Sequence, residues 1–393
     1  MTELRPQVLI LGGGIAGLWL LARLRSVGYA ALLVETAALG GIQTLASQGI
    51  IHGGIKYALT GHLTGAAQAI AAMPARWRAC LEGRGELDLR RARLLASHQY
   101  LWSSGGVASE LAGLFASRVM RGRVTAVEGE ERPALFRHRD FHGHVYRLDE
   151  PVLDPASLSA ALAALAGDAC LAAGHIELLE GRTLALTGPD GARALVRPQR
   201  LVLAAGAGNG DLLAGLGRSR PAQQLRPLRM LMARGDLPEL YAHCLGAGAT
   251  PRLTVTSQPL ASGERVWYLG GQVAEAGVRR SPDQQLAAGR RELANLLPWL
   301  EQGGLRWASL SIDRAEPRQP GGLRPDQPMV DEAEGVLVTW PVKLAFAPLL
   351  ADQVLERLAG AGIQPAGAAL ERPGSWPAPP LGRLPWEQVA EWS

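Results

Sequence analysis

The first fifty residues contain the pattern that most constrains the fold: an apolar strand, a glycine-rich turn, a helix and a second apolar strand that ends on an acid. The first strand is residues 8–11, and the turn contains Gly12, Gly14 and Gly17. The helix is residues 18–26, the second strand is residues 30–34, and the acid is Glu35. At this GxGxxG spacing the first glycine permits a tight turn, and the second lets backbone N–H groups approach a pyrophosphate. The third lets helix and strand pack closely, and the acid binds ribose hydroxyls. The pattern predicts a bound dinucleotide rather than a merely structural turn.

Length and composition favour a globular protein of two domains. A chain of 393 residues is too long for one core. The basic residues are scattered and the net charge is only +4, so no stripe suited to nucleic acid is present. The three cysteines have no metal-ligand spacing, and three histidines between residues 138 and 144 lie beside arginines that repel a cation, so we expect no metal.

The sequence gives no sign of export or of a membrane span. The apolar stretch near the N-terminus is interrupted by glycines and lacks a cleavage site, and no run of about 18 apolar residues occurs elsewhere. We therefore expect a cytoplasmic protein without a transmembrane segment, and leave open a peripheral attachment to the inner face of a membrane.

Several local patterns outline the rest of the chain. Residues 39–49 are small and glycine-rich and predict a loop, while residues 65–81 and 109–120 predict helices. Asp154 before Pro155 predicts the start of another helix. The last twenty residues are rich in proline and tryptophan, contain no evident element, and are expected to lie over the surface.

Lysine is rare, which draws attention to its two positions. Of 40 basic residues only Lys56 and Lys343 are lysines. A compact, titratable ammonium differs chemically from the planar guanidinium that the chain uses elsewhere. Either both lysines are ordinary surface cations or a point charge is required at these places.

Four features in this order resemble the FAD-dependent D-amino-acid oxidase superfamily, which includes glycine oxidase, sarcosine oxidase and glycerol-3-phosphate dehydrogenase. They are the GxGxxG turn, Ile51-His52-Gly53-Gly54, the strand end Ala204-Ala205-Gly206, and Gly322-Leu323-Arg324-Pro325. The resemblance implies an α/β fold with a Rossmann-like FAD-binding domain, interleaved with an α+β substrate domain on a mostly antiparallel sheet. It implies an FAD-binding domain of residues 1–85, 150–222 and 312–393 and a substrate-binding domain of residues 86–149 and 223–311.

The resemblance to individual subfamilies is mixed. Residues 51–57 look most like the flavin-proximal motif of the glycerol-3-phosphate dehydrogenases, whereas residues 322–325 look more like glycine oxidase. Around Lys343 the chain departs from the dehydrogenases, with Trp-Pro-Val before it and Ala-Phe-Ala-Pro after it. The arginine expected there to grip a phosphate is absent, which disfavours a glycerol phosphate substrate.

The resemblance implies non-covalently bound FAD and a set of residues around it. The predicted cofactor-binding residues are Gly12, Gly14, Ile15, Ala16, Gly17, Glu35, Thr36, Gln43, Thr44, Ser47, Gln48, Gly49, Ile51, Thr183, Ala204, Ala205, Gly206, Gly208, Val342, Lys343 and Leu344. The predicted substrate-binding residues are His52, Lys56, Tyr57, Tyr268 and Arg324.

Three residues are predicted to be catalytic. The resemblance implies that Lys343 lies near the flavin, where its charge would favour the anionic reduced form. Arg324 offers the planar fork that a carboxylate requires, and His52 orients flavin or substrate. The alternatives are a surface cation for Lys343, a loop salt bridge for Arg324, and local backbone hydrogen bonding for His52.

The sequence therefore predicts an FAD-dependent enzyme that oxidises a small amine, amino acid or hydroxy acid by hydride transfer to flavin N5. Its electron acceptor is oxygen or a quinone. The alternatives are a polyol-phosphate dehydrogenase resembling glycerol-3-phosphate dehydrogenase and an FAD-binding sensor without turnover. An NAD-dependent dehydrogenase is the rival that differs in cofactor.

Overall fold

The computed structural model describes residues 2–54, 65–103, 124–246, 250–367 and 369–393. Lys56, Tyr57 and the helix predicted over residues 109–120 lie outside them. The strands are β1 (Thr2–Leu4), β2 (Val8–Leu11), β3 (Ala31–Glu35), β4 (Leu94–Ala96), β5 (Gln99–Trp102), β6 (Val124–Val127), β7 (Val145–Leu148), β8 (Val152–Leu153), β9 (Cys170–Ala172), β10 (His175–Leu178), β11 (Leu184–Thr187), β12 (Arg193–Val196), β13 (Arg200–Leu203), β14 (Gln223–Gly235), β15 (Ala242–Cys244), β16 (Leu253–Pro259), β17 (Arg265–Gly270), β18 (Arg306–Pro317), β19 (Met329–Ala333) and β20 (Val336–Trp340). The α-helices are α1 (Ile15–Ser26), α2 (Gly41–Leu45), α3 (Gly65–Leu81), α4 (Pro155–Ala166), α5 (Asn209–Gly215), α6 (Gln272–Ala276), α7 (Pro282–Leu296) and α8 (Ala347–Gly360).

A largely parallel sheet carries the glycine-rich turn. Its strands run in the order β19-β20-β13-β2-β3-β9, with β19 antiparallel at one edge. Both neighbours of β2 run parallel to it, and all four residues of β2 are buried, as expected for a strand covered on both faces. The carboxyl ends of β2, β3 and β13 therefore meet at one edge, beside the start of α1.

A smaller sheet flanks this one. Its strands run in the order β1-β12-β11-β10. Strand β1 immediately precedes β2 and β12 immediately precedes β13, so the two sheets share short connections.

The other large sheet is mostly antiparallel, in the order β18-β14-β17-β16-β15-β5-β7-β6, with only β15 and β5 parallel among its described pairs. One face packs tryptophans, including Trp267 and Trp307, against leucines of α7. The opposite face carries Tyr268, whose hydroxyl donates to the Ala46 carbonyl at 3.0 Å. That second face therefore looks toward the segment that follows the glycine-rich turn.

This arrangement of a doubly covered parallel sheet and a mostly antiparallel sheet confirms the predicted fold class. No helix among the described residues combines the length and apolar character needed to cross a membrane.

Two local expectations were wrong. The segment predicted as a loop contains the short helix α2, which begins after Gly40 at a φ of 92°. The C-terminal tail does not simply lie over the surface, because Trp376 and Trp386 are buried. The Trp376 indole donates to Ala172 O at 2.7 Å, and Ser393 exchanges backbone hydrogen bonds with Trp307. The tail therefore ties the parallel sheet to the edge strand β18.

Candidate active site

The glycine-rich turn is sterically closed to larger residues at two of its three positions. A Cβ on Gly12, whose φ is +110°, would lie 2.6 Å from Ala204 O, and one on Gly17 would lie 1.9 Å from Gly12 O. Gly14 is different, because its Cβ would meet only the Thr44 hydroxyl oxygen, at 3.4 Å. Gly12 and Gly17 are therefore required by the fold, whereas Gly14 leaves space in front of α1.

The N-terminus of α1 is arranged to receive a negative group. Its first turn contains no acidic residue, and Gly14 at the N-cap provides no side-chain hydrogen bond. The Thr44 hydroxyl accepts from the Ile15 N–H at 2.9 Å. By helix geometry the other N–H groups of the first turn face the space in front of Gly14, called the opening below, where the helix dipole favours an anion.

Glu35 stands beside this opening at the end of β3. Its carboxylate accepts hydrogen bonds from Gly13 N–H at 2.6 Å and Ala37 N–H at 2.8 Å. Thr36, next in the chain, is exposed. This is the position from which the acid of a βαβ unit reaches ribose hydroxyls.

The strand end after β13 forms the other wall of the opening. The Ala204 N–H donates to Leu11 O at 2.8 Å, and the Ala205 N–H donates to the Asn209 side chain at 2.8 Å. Asn209 donates in turn to Thr339 O at 3.0 Å, and the Thr339 hydroxyl donates to Leu203 O at 2.9 Å. Asn209 and Thr339 were missed by the sequence analysis, although both are buried and fix this wall.

These observations fit a dinucleotide, because glycines, helix N–H groups and a carboxylate converge where larger residues would clash. Other predicted cofactor residues surround them. Gln43 accepts from Ala315 N–H at 3.3 Å, and Gln48 donates to Tyr268 O at 3.0 Å, so both reach the antiparallel sheet. Ile51 is wholly buried in the core, and its N–H donates to Pro151 O at 2.9 Å. Five further predicted cofactor residues differ in burial. Ala16 and Gly49 are buried, whereas Ser47, Gly206 and Gly208 are at least partly exposed.

Thr183, another predicted cofactor residue, directly precedes β11. It occupies the turn between β10 and β11, where the Leu179 N–H donates to its carbonyl at 2.9 Å. No described hydrogen bond links it to the glycine-rich turn.

The segment around Lys343 has an unusual backbone. Val342 has a φ of 62°, a conformation that β-branched residues rarely adopt, and the Lys343 N–H donates to Pro341 O at 2.6 Å across it. A short 3₁₀ turn, Leu344–Phe346, follows before α8 begins. The Lys343 ammonium lies 5.2 Å from the centre of the Phe346 ring. A strained turn thus sets where Lys343 leaves the strand β20.

A polar cluster surrounds His52. Its Nδ1 lies 3.5 Å from Glu150 Oε2, and its ring stacks on that of His243 with centres 5.6 Å apart. Glu150 is buried and also accepts from Gly53 N–H at 2.5 Å and from the Gln99 amide. Glu150 and Gln99 were not found from the sequence, because nothing local marks a buried carboxylate nearly one hundred residues from its histidine.

An arginine group occupies the end of the sheet nearest the return to the parallel sheet. Arg226 and Arg314 pair across β14 and β18, and Arg226 contacts Glu316 at 3.3 Å. Glu275 lies within 4.0 Å of both arginines. Burial, together with the charges of Arg324 and Arg226, lowers the pKa of Arg314 to about 10. The group therefore gathers three guanidinium ions against two carboxylates.

Comparison with known proteins identifies the family. The sequence profile of the family described as FAD dependent oxidoreductase matches residues 7–347. The chain belongs to this family. A curated relative from Pseudomonas aeruginosa, "Probable FAD-dependent oxidoreductase", is 54% identical over 388 residues, which is 98% of each chain.

Solved structures share the fold of this FAD-dependent oxidoreductase. The crystal structure of an FAD-dependent oxidoreductase from P. aeruginosa has a TM-score of 0.84 at 48% identity, over 98% of this chain and 99% of that one. The structure of glycine oxidase from Geobacillus kaustophilus has a TM-score of 0.66 at 18% identity, over 93% and 100%. The family match confirms the predicted resemblance, the enzyme class and FAD as the cofactor.

One predicted substrate residue is badly placed for that role. Tyr268 is fully buried, its hydroxyl is used by Ala46 O, and burial raises its pKa. A side chain with no accessible surface cannot touch a ligand unless its neighbours move.

Two surface cavities, of about 410 and 540 Å³, are lined by residues such as Tyr29 and Trp299 and do not include the glycine-rich turn.

Proposed function

We propose that this FAD-dependent oxidoreductase oxidises a small amine, amino acid or hydroxy acid. When bound, FAD supplies the acceptor for the hydride removed from the substrate carbon. The cofactor cradle is the glycine-rich turn, the start of α1, Glu35 and the wall after β13. The observation that carries the proposal is the placement of His52, which directly continues the segment after this cradle. Its side chain is 35% exposed, whereas the carboxylate behind it is only 4% exposed.

His52 acts as the proton acceptor in this proposal. An ammonium or hydroxyl group must lose a proton before its carbon can release a hydride, and a neutral imidazole accepts that proton near neutral pH. Stacking on His243 limits how the His52 ring can tilt. This contact supports a His52 ring that keeps its orientation while the substrate loses its proton.

The arginine group holds the acid of the substrate. Arg226 and Arg314 lie on the same sheet face as Ile312, which packs in one cluster with Tyr268 and Ala46 of the cradle side. Arg324 is exposed, forms no ion pair with a described carboxylate, and is close enough to affect Arg314. An incoming carboxylate would balance the surplus positive charge of this group. Glycine oxidase, which shares the fold, is by its name an oxidase of an amino acid.

The remaining parts of the proposal concern cofactor and domains. Gly14, the first turn of α1, Glu35 and the wall after β13 hold FAD, and Lys343 places a positive charge beside it. The parallel sheet with residues 1–85, 150–222 and 312–393 forms the FAD-binding domain, and residues 86–149 and 223–311 form the substrate-binding domain. Oxygen or a quinone takes the electrons afterwards.

The test compares Arg324→Gln with Arg318→Gln, an exposed arginine of the same segment. Loss of a charge-assisted pair worth about 1.5–3 kcal/mol raises the apparent KM for an acid-bearing substrate by about tenfold to a hundredfold. The KM for the same substrate as its neutral amide should change little. Equal KM values for both variants and the wild type would remove Arg324 from the substrate site.

A further inference from the structure

A buried carboxylate lies directly behind the predicted catalytic histidine. Glu150 follows β7 and retains only 3% of its accessible surface. One of its oxygens accepts from the Gly53 N–H at 2.5 Å. The other accepts from the amide of Gln99, itself fully buried, and lies 3.5 Å from His52 Nδ1. Backbone and amide donors therefore fix this carboxylate, and its second oxygen is directed at the imidazole.

The imidazole ring is also fixed on a second side. The His243 ring stacks on it at an interplanar angle of 24°, and His243 Nδ1 lies 2.9 Å from the Thr254 hydroxyl. The Nδ1 edge of His52 thus faces a carboxylate that is almost inaccessible, whereas 35% of the histidine side chain as a whole is exposed.

We propose that Glu150 is a positioning residue that keeps the proton of His52 on Nδ1, so that Nε2 is the atom that accepts the substrate proton. The proposal rests on the proposed function and adds residues to it. A carboxylate bonded to one ring nitrogen selects the tautomer and makes the other nitrogen more basic. Gln99 serves the same end, because its amide holds the carboxylate oxygen that faces the ring.

Glu150 also supports the backbone at Gly53, so a purely structural role must be separated from this one. Glu150→Gln is the suitable change, because an amide oxygen of the same shape still accepts from the Gly53 N–H. The change removes the charge that favours a proton on the facing nitrogen. Glu86→Gln is the matched control, because Glu86 is a largely buried carboxylate that pairs with Arg76 outside this cluster.

The first measurement is the ¹⁵N spectrum of the histidine side chains in the holoenzyme. The chain has eight histidines, and the signals of His52 are identified by their loss in His52→Asn. The wild type and Glu86→Gln should show His52 protonated at Nδ1, and Glu150→Gln should shift it toward the tautomer protonated at Nε2. An unchanged His52 spectrum in Glu150→Gln overturns the proposal.

The second measurement is the rate constant of anaerobic flavin reduction by a reducing substrate. Glu150→Gln should lower it about tenfold to a hundredfold, within the range that general base catalysis supplies. In the His52→Asn background the same change should cost less than about twofold, because the two residues act as a unit. Full additivity of the two losses would show that Glu150 acts independently of His52. If no donor reduces the flavin, the proposed function fails, and the spectrum alone decides the role of Glu150.

Discussion

Substitution of the turn glycines by alanine tests the cofactor cradle most sharply, because the structure assigns different roles to neighbouring glycines. A Cβ on Gly17 would lie 1.9 Å from Gly12 O, which is backbone and cannot swing away. To remove this clash, helix α1 would have to move away from β2 by more than 1 Å, because an ordinary van der Waals contact is longer by roughly that amount. Overpacking of this kind costs about 1–3 kcal/mol. Gly17→Ala should therefore lower the free energy of unfolding by about 2 kcal/mol and, in a chain of 393 residues, the Tm by about 2–3 °C, with or without FAD.

Gly14→Ala should behave in the opposite way. Its added methyl would meet only the Thr44 hydroxyl at 3.4 Å, an ordinary contact, and Gly14 has a φ of −74°, which alanine adopts readily. The apoprotein should lose less than about 1 kcal/mol of stability. In the proposed FAD site the methyl projects where a phosphate would approach the helix, so the loss of one charge-assisted hydrogen bond should weaken FAD binding by about tenfold to a hundredfold.

The assay combines thermal unfolding of the flavin-free variants with titration of FAD, followed by quenching of its fluorescence. Gly303→Ala is the control, because nothing lies within 4 Å of its added Cβ, and it should match the wild type in both measurements. Wild-type FAD affinity in Gly14→Ala would refute the placement of the phosphates. Wild-type stability in Gly17→Ala would refute the packing argument.

Three further predictions concern strain, the tail and the thiols. At Val342, where φ is 62°, the glycine variant should be more stable than the alanine variant by about 1 kcal/mol, because glycine adopts a positive φ without strain. A higher Tm for the alanine variant than for the glycine variant would contradict this. Trp386→Ala should lower the free energy of unfolding by about 3–5 kcal/mol, because the indole is buried against Tyr268. Denaturant titration measures this loss, and a clearly smaller loss would contradict the prediction. All three cysteines are buried, which raises their pKa values to about 11 or 12, so a thiol reagent at pH 8 should label none in the native protein and all three after unfolding.

The local part of the fold could be predicted from the sequence because its signals are short-range. The glycine spacing, the apolar strands and the acid at the end of β3 lie within thirty residues of one another, and the structure has each of them in place. Likewise Asp154 accepts from the Ala156 N–H at 3.1 Å and begins α4 with Pro155 in its first turn, as the Asp-Pro pair predicts. Such features depend on backbone sterics that a few neighbouring residues decide.

The rest of the site depends on long-range register and packing, which no local pattern encodes. Arg226 meets Arg314 only because β14 and β18 pair antiparallel at that register. Glu150 meets His52 because β8 pairs beside the segment after α2, as the Ile50–Val152 bridge records. Tyr268 is a residue type that often binds ligands, but here its side chain is fully buried, and the sequence pattern does not show this burial. The sequence therefore indicates the cofactor, whereas the residues proposed to contact the substrate are brought together only by the fold.

We expect a small acid-bearing donor to reduce the FAD bound to this protein. This is tested by the visible absorption spectrum of the holoenzyme, recorded without oxygen, as a panel of amino acids, other amines and hydroxy acids is added. At least one acid-bearing donor should bleach the oxidised flavin band with a saturating rate, and its neutral amide should do so only at much higher concentration. If no member of the panel bleaches the band, while dithionite still reduces the flavin, this expectation is contradicted and a binding role without turnover takes its place.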